Sequence, residues 1–242
     1  FRRVKIGNVN GVISGKPVHL LSGSEKKKLP QENSLYIDIG AADKAEALGL
    51  VSLGDRAVIC GEYAETEEKI KSKAIDDRAG CAILLALLLE ESEYDFYATF
   101  TVQEEVGLRG AKTAAFSVAP DAAVVLEATT AADIAEVDNA HRVCALGGGP
   151  TVSFMDRATV YDRDYYNAAL SSGIKCQPKA AVAGGNNSGA VHLSRGGVRT
   201  LAISVPCRYI HSPSSVADKS DIENAYLLAR YMINGICSGK IR

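Results

Sequence analysis

The apolar and polar positions of the chain change their pattern near residue 68. Before it, short β-branched runs are separated by Gly and Pro, which is typical of short strands joined by turns. These runs predict strands over 4–6, 11–13, 18–21, 35–39 and 56–60, and one short helix over 44–50. Residues 61–72 are heavily charged, so we predict a domain boundary within them and a small β-rich domain over residues 1–68.

From residue 69 onward, strand-like and helix-like patterns alternate. They predict helices over 78–91, 110–116, 163–172 and 220–236, and strands over 95–103, 122–126 and 200–205. This alternation predicts an α/β fold with a mixed, mostly parallel sheet sandwiched by helices. Reactive side chains of such sheets gather at the carboxyl ends of the strands, so we expect the chemistry there.

The composition excludes several classes of function. Of the 242 residues, 47% are hydrophobic and 23% are charged, close to the average of globular proteins. The net charge is -2, and positive and negative residues are interspersed along the chain. This pattern disfavours nucleic acid and membrane surfaces as partners. The longest apolar run, 81–89, is too short to cross a bilayer, and six cysteines without C-x-x-C spacing favour a reducing cytoplasm. We therefore expect peptides or small molecules as partners.

Carboxylates occur where the predicted elements begin or end. Asp76 and Asp77 precede the long apolar helix, where acids also complement the helix dipole. Glu104 and Glu105 follow a predicted strand, and such neighbours are tolerated most readily when a cation or a shared proton offsets their charge. Glu127 directly follows the next strand, and by itself it reads most simply as an exposed loop acid. Together, at one edge of a sheet, these acids indicate a common site.

A histidine joins this set after the last predicted strand. His211 lies in Arg-Tyr-Ile-His-Ser-Pro at 208–213. A single histidine is usually structural or merely exposed, but with the carboxylates it forms a set of oxygen and nitrogen ligands suited to zinc, cobalt or manganese. We assign His141 and His192 to structure rather than chemistry.

Such a ligand set supports hydrolysis. A carboxylate can bridge two divalent ions about 3.5–4 Å apart, and the ions lower the pKa of water from about 15.7 to about 7. Where two glutamates follow one strand, one can bind metal while its neighbour holds the attacking water as general base. A glycoside hydrolase also uses two carboxylates, but 6% aromatic residues and the absence of Trp disfavour sugar binding.

Four ordered segments resemble one known family. They are Asp-Asp-Arg-Ala-Gly at 76–80, Val-Gln-Glu-Glu-Val-Gly-Leu-Arg-Gly-Ala at 102–111, Glu-Ala-Thr-Thr-Ala-Ala-Asp at 127–133 and Arg-Tyr-Ile-His-Ser-Pro at 208–213. Weaker matches are Gly-Val-Ile-Ser-Gly-Lys-Pro-Val-His-Leu-Leu at 11–21 and Gly-Gly-Gly-Pro at 147–150. The set resembles the glutamyl and deblocking aminopeptidases, di-metal peptidases that include the tetrahedral aminopeptidases. Some relatives are labelled cellulase or endoglucanase.

The resemblance implies an activity and a role for each candidate residue. The activity is removal of N-terminal residues from peptides by a metal-bridged water, with two zinc or cobalt ions per subunit, or manganese. The implied roles are bridging of both ions by Asp76, completion of one metal site by Glu105 and His211, binding of the other ion by Glu127, and general base for Glu104. Residues 1–68 would correspond to an inserted β-barrel domain that serves assembly. Dimers would build a dodecamer.

Two features depart from the family pattern. Family chains carry an upstream His-x-Asp motif whose His is a further ligand of the Glu127 metal, and neither His19 nor His192 is followed by Asp in this way. We assign residues 69–242 to the catalytic domain, and we therefore expect the N-terminal part of that domain to be absent from this sequence. A catalytically impaired homologue that forms a scaffold or oligomer is the alternative. Asn187 stands where relatives commonly have Asp, which could weaken local support of substrate or metal.

The resemblance also directs attention to residues beside the matched segments. Arg157, Arg208 and Tyr209 lie near these segments and could contact the peptide substrate. Asp77 would support or cap the structure beside the bridging acid.

Overall fold

The computed structural model describes residues 2–182 and 184–242. The chain divides into two compact units, Phe1–Gly61 and Glu62–Arg242. Phe1, with which the predicted domain over 1–68 begins, lies outside the described residues. None of the helices described is both long and apolar enough to span a membrane.

The smaller unit is built on a four-stranded antiparallel sheet. Its strands are β1 (Arg2–Ile6), β2 (Val9–Ser14), β3 (Tyr36–Asp38) and β4 (Ala57–Ile59), in the order β3–β2–β1–β4. Among the described residues, the edge strands β3 and β4 each pair with one neighbour and not with each other. The prediction of a β-barrel was therefore wrong. Edge strands of three residues cannot supply the staggered pairing that closes a sheet.

Local hydrogen bonds fix the remaining elements of this unit. The predicted helix is confirmed as α1 (Lys44–Leu50), which Asp43 caps by accepting a 2.9 Å hydrogen bond from the Glu46 N–H. Three short 3-10 turns span Val18–Leu20, Glu25–Lys27 and Glu32–Ser34. The predicted strand over 18–21 is one of these turns, because Leu21 bonds back to the Val18 carbonyl at 3.2 Å.

The smaller unit buries little apolar surface. Val4 is its only buried hydrophobic side chain among the described residues, whereas Leu29 and Leu53 are 93% and 97% exposed. Exposed apolar side chains scattered singly are common on soluble domains, but a unit with so small a core gains much from covering them.

The larger unit contains a seven-stranded mixed sheet. Its strands are β5 (Ala64–Glu65), β6 (Lys69–Ser72), β7 (Ala122–Thr130), β8 (Thr151–Val152), β9 (Gln177–Pro178), β10 (Arg199–Arg208) and β11 (Ser215–Asp218). The order is β5–β6–β11–β10–β8–β9, and β7 pairs with β10. The predicted α/β class is confirmed. The expectation of a mostly parallel sheet was wrong: among the described residues, β7–β10 and β8–β9 are parallel and the other four pairings are antiparallel. Two of the antiparallel pairs, β5–β6 and β10–β11, join consecutive strands through short turns rather than through helices.

The described residues of the larger unit form five helices. They are α2 (Ile75–Leu89), α3 (Arg109–Val118), α4 (Arg163–Leu170), α5 (Ser188–Val191) and α6 (Lys219–Cys237), with a 3-10 turn at Asn139–His141. Ile83 of α2 and Leu228 of α6 pack with Ile203 of β10 in the main core. All of residues 200–207 are buried, so both faces of β10 are covered. This burial explains the continuous apolar run that predicted the strand.

The prediction of a strand over 95–103 was wrong. No residue of this segment belongs to a strand, and Tyr97 is largely exposed. The carbonyls of Val102 and Gln103 instead accept hydrogen bonds from the N–H groups of Gly110 and Arg109, at the start of α3. An alternating pattern makes a strand only where a partner strand pairs with it. Glu104 and Glu105, which follow this segment, are therefore positioned by hydrogen bonds to the start of α3 and not by strand pairing.

A buried carboxylate in α6 holds the glycine-rich turn at 147–149. Asp221 is fully buried and accepts hydrogen bonds from the N–H groups of Gly147 and Gly149 at 2.8 and 2.7 Å. Gly149 has a φ of 89°, and a side chain there would collide with the Lys175 carbonyl. Two N–H groups of the turn are thus bound by protein rather than presented to a ligand.

Candidate metal centre

Three side chains from separate elements meet at one point of the larger unit. The Nε2 atom of His211 lies 3.1 Å from Asp76 Oδ2 and 3.4 Å from Glu105 Oε2. One potential ligand atom from each residue lies within 4.8 Å of the others. Two oxygens and one nitrogen at this spacing form a donor set that suits zinc and related ions.

The sheet brings Asp76 and His211 together. Asp76 follows β6, and β6 pairs with β11, which in turn pairs with the end of β10. Asp76 and Asp77 have non-helical backbone angles, so the regular part of α2 begins after them. Asp77 accepts a 2.8 Å hydrogen bond from the Gly80 N–H, which confirms it as a capping acid. Both Tyr209 and His211 adopt positive φ angles, 57° and 60°, in the turn between β10 and β11.

Glu127 lies inside β7 rather than after it. The strand continues to Thr130, and Glu127 lies opposite Ser204 in the parallel pairing with β10. Its side chain is only 4% exposed, so the interpretation as an exposed loop acid is excluded. The carboxylate accepts a 3.2 Å hydrogen bond from the backbone N–H of Asn187.

One cavity joins these acids. It has a volume of about 670 Å³, and the carboxylates in its wall are those of Asp76, Asp77, Glu104, Glu105 and Glu127 among others. Glu127 is not within the tight group around His211. The arrangement is therefore one cluster of three ligand groups with further carboxylates close by on the same wall.

Burial and mutual repulsion make the charged forms of the carboxylates on this cavity wall unfavourable unless a cation is present. Burial, followed by the charges of Asp77 and other acids, raises the pKa of Glu127 to about 9. Burial also raises the pKa of Asp77 to about 8, with Asp76 and Glu104 as further causes. The pKa values of Asp76 and Glu104 are raised as well, first by burial and then by the charge of Glu105. Divalent cations offset such charge, so the residues present fit a metal centre.

Residues 2–228 match the family model described as M42 glutamyl aminopeptidase. The chain belongs to this family. The resemblance drawn from the sequence motifs is therefore confirmed, as is the prediction of an enzyme: M42 members are metallopeptidases that remove N-terminal residues from peptides.

Individual relatives named as aminopeptidases agree with this assignment. A putative aminopeptidase of Acetivibrio thermocellus is 39% identical over 242 residues, which cover 98% of this chain and 71% of that protein. Aminopeptidase APDkam598 from the archaeon Desulfurococcus kamchatkensis has a similar structure, with a TM-score of 0.89 and 34% identity over 99% of this chain and 69% of that chain.

Two further solved structures carry names that bear on assembly and on substrate. The Pyrococcus horikoshii TET1 peptidase, which can assemble into a tetrahedron or a large octahedral shell, matches with a TM-score of 0.78 and 30% identity over 95% of this chain and 70% of that chain. An endoglucanase from Thermotoga maritima matches with a TM-score of 0.76 and 31% identity over 99% of this chain and 68% of that chain.

Arg157, Arg208 and Tyr209, the residues expected to contact the substrate, each make different contacts in this M42 chain. Arg208 donates from Nε and Nη2 to the Asp133 carboxylate at 2.7 and 2.9 Å. Tyr209 is exposed, and its carbonyl accepts a 3.1 Å hydrogen bond from the Ser215 hydroxyl. Arg157 is exposed and bonds through its backbone N–H to the Gly184 carbonyl at 3.0 Å. None of the three lines the cavity that the carboxylates share, and their contact with substrate stays a prediction.

The role of Asn187 could not be derived from the sequence. The pattern marked it only as a departure from Asp, whereas its backbone N–H contacts Glu127 and its Nδ2 lies 3.4 Å from Thr101 Oγ1. Its Oδ1 is buried without a hydrogen-bond partner among the described residues. Asn187 also lines the shared cavity. A hydrogen bond donated by a backbone N–H does not depend on the side chain of that residue, so the residue type gives no sign of it.

Proposed function

We propose that this chain removes N-terminal residues from peptides by general-base catalysis at a centre of two divalent ions, zinc or cobalt, with manganese also suitable. The observation that carries the proposal is the meeting of Asp76, Glu105 and His211 beside further carboxylates on one cavity wall. The activity itself is that of the M42 family.

The chain's own side chains would divide the binding of the ions. We assign the bridging position to Asp76, one ion to Glu105 and His211, and the other ion to Glu127, which lies on the same cavity wall. When bound, the ions would lower the pKa of water and offset the charge that develops on the peptide carbonyl oxygen.

Glu104 is the proposed general base. It lies beside Glu105 in the sequence, is partly buried and lines the shared cavity. Its carboxylate oxygen takes the proton of the attacking water and returns it to the amine that leaves when the peptide bond breaks. Burial, and then the charges of Glu105 and Asp76, raise the pKa of Glu104 above that of an exposed glutamate. Bound ions would offset the part of this rise that the two neighbouring acids cause.

Removal of metal tests this function. We expect a chelator to abolish hydrolysis of an aminoacyl-anilide and addition of cobalt or zinc to restore it. Chelation should also lower the melting temperature, since ions at 100 times their Kd stabilise a folded protein by about 2.7 kcal/mol. Protein dialysed without chelator is the control. Cleavage of cellulose that persists in chelator would instead support glycoside hydrolysis, as the name of the Thermotoga maritima neighbour suggests.

We also propose that the chain self-associates into dimers and a dodecamer through its smaller unit, in line with the predicted assembly role of residues 1–68. The exposed Leu29 and Leu53, and the assembly of the Pyrococcus horikoshii relative, support this proposal. Covering such side chains contributes about 25 cal/mol for each Å² of apolar area removed from water.

Charge placed on this surface tests the assembly. We expect the Leu29→Lys/Leu53→Lys double variant to have a lower mass in multi-angle light scattering than the unmodified protein. Leu89→Lys is the matched control, because Leu89 is 88% exposed but lies in the larger unit. An unchanged mass in the double variant would exclude these side chains from the interface.

The cellular compartment is part of the same proposal. All six cysteines are free in the structure. Unpaired thiols are typical of reducing compartments, and they support a cytoplasmic location.

A further inference from the structure

A buried network of polar side chains lies next to the loop that contacts Glu127. Asp156, Tyr161 and Asn186 are 4%, 3% and 8% exposed. The Tyr161 hydroxyl donates to Asp156 Oδ2 at 2.5 Å, and the Asn186 Nδ2 donates to the Tyr161 oxygen at 3.0 Å and lies 3.4 Å from Asp156 Oδ2. Three polar groups thus satisfy one another where water is largely excluded.

Asp156 also fixes the backbone of its own turn. Its Oδ1 accepts hydrogen bonds from the N–H groups of Ala158 and Thr159, both at 2.8 Å. The carboxylate is therefore fully engaged, with one oxygen on the turn and the other on Tyr161. A carboxylate held in this way cannot rotate without breaking several hydrogen bonds.

The network ties this turn to the loop at 184–189. The Arg157 N–H bonds to the Gly184 carbonyl at 3.0 Å, and Asn186 Oδ1 accepts the Ser188 N–H at 2.8 Å. The side chain of Asn186 thus bonds to Tyr161 with its nitrogen and to its own loop with its oxygen. The loop is held from both sides of Asn187.

The held loop presents one backbone N–H to Glu127. The Asn187 N–H donates to Glu127 Oε1 at 3.2 Å, and this is the single hydrogen bond to that carboxylate within residues 2–182 and 184–242. The Asn187 carbonyl accepts the N–H groups of Ala190 and Val191, which begins α5. The position of the Asn187 N–H is therefore fixed by its neighbours on both sides.

We propose that Asp156, Tyr161 and Asn186 are positioning residues of the metal centre: they hold the Asn187 N–H against Glu127 and so orient that carboxylate toward its ion. The inference rests on the proposed function, since it concerns the ligand assigned to Glu127. Groups that orient a ligating carboxylate typically change metal affinity by about 10–100-fold when they are removed.

Removing one hydroxyl tests the network. We expect Tyr161→Phe to weaken binding of one of the two Co²⁺ ions by about 10-fold or more, measured by competition with a chromogenic chelator. The visible absorption spectrum of bound Co²⁺ should change as well, because it depends on the geometry of the ligands. Tyr165→Phe is the matched control: Tyr165 is equally buried in the same unit, and its hydroxyl makes no side-chain hydrogen bond among the described residues.

A second pair of variants acts directly on the donor. Asn187→Pro and Asn187→Ala both remove the amide side chain, but only proline removes the N–H. The φ of -52° at Asn187 is compatible with proline. We expect the proline variant to bind Co²⁺ at least about 10-fold more weakly than the alanine variant, with both melting temperatures recorded.

The outcomes separate this inference from the function on which it rests. Weakened Co²⁺ binding in Tyr161→Phe but not in Tyr165→Phe supports the positioning role. Equal Co²⁺ affinity in unmodified protein and Tyr161→Phe, or equal affinity in the two Asn187 variants, overturns the inference and leaves the proposed function standing. Unmodified protein that binds no Co²⁺ overturns both.

Discussion

Replacing Glu104 with Gln should reduce peptide hydrolysis by about 10²–10⁴-fold, the usual contribution of a general base. Glutamine keeps the size and polarity of the side chain but cannot take a proton from water. Because Glu104 stands outside the group formed by Asp76, Glu105 and His211, the variant should keep its metal. The measurement is kcat on an aminoacyl-anilide together with the metal content of the same sample.

Glu223→Gln is the matched control for this variant. Glu223 is exposed on α6, where the same change of charge should leave kcat unaffected. A Glu104→Gln enzyme with full metal content and near-normal kcat would show that another group is the base. Loss of activity together with loss of metal would instead make Glu104 a ligand.

The Asp76→Asn variant should lose both ions and about 10³-fold or more of the activity. A bridging carboxylate binds two ions at once, so its removal weakens both sites. Metal ions supply several kcal/mol of charge stabilisation in the transition state, and about 1.36 kcal/mol corresponds to a factor of ten in rate. The measurement is the number of ions per chain by elemental analysis, with kcat/KM alongside.

Comparison with Glu127→Gln distinguishes a bridging ligand from an ordinary one. That variant should lose one ion, because Glu127 is assigned to a single site. Asp164→Asn serves as the control, since the Asp164 side chain is 70% exposed and its ion pair with Arg199 is a surface pair of little energetic weight. Two tightly bound ions in Asp76→Asn would remove Asp76 from the bridging position.

Local sequence patterns predicted every described helix except the four-residue α5. The helix α2 begins and ends within three residues of the predicted span 78–91, because a long apolar run following an acid pair specifies both a core helix and its cap. The sequence also grouped Asp76 with His211, because one precedes a helix and the other follows a strand of the same predicted sheet, and the two side chains lie 3.1 Å apart.

Pairing between strands that are distant in the sequence could not be predicted from local patterns. The alternating segment 95–103 satisfies the pattern of a strand, but no strand pairs with it among the described residues. Glu127 was placed after a strand because β7 extends through polar residues to Thr130, and those residues are ordered by pairing with β10 rather than by their own composition. The hydrogen bonds among Asp156, Tyr161 and Asn186 have no periodicity and left no signal at all.

The parallel pairing of β7 with β10 has a consequence for the order in which the protein matures. It joins residues 122–130 to residues 199–207, and the turn that carries His211 follows immediately. Contacts between such distant segments carry a large loop-closure entropy and form late. During synthesis on the ribosome, Asp76 and Glu105 emerge long before His211, so the proposed centre cannot assemble until the last strands have left the exit tunnel. Metal uptake at the proposed centre would therefore report that β7 and β10 have paired and that the turn carrying His211 has been synthesised.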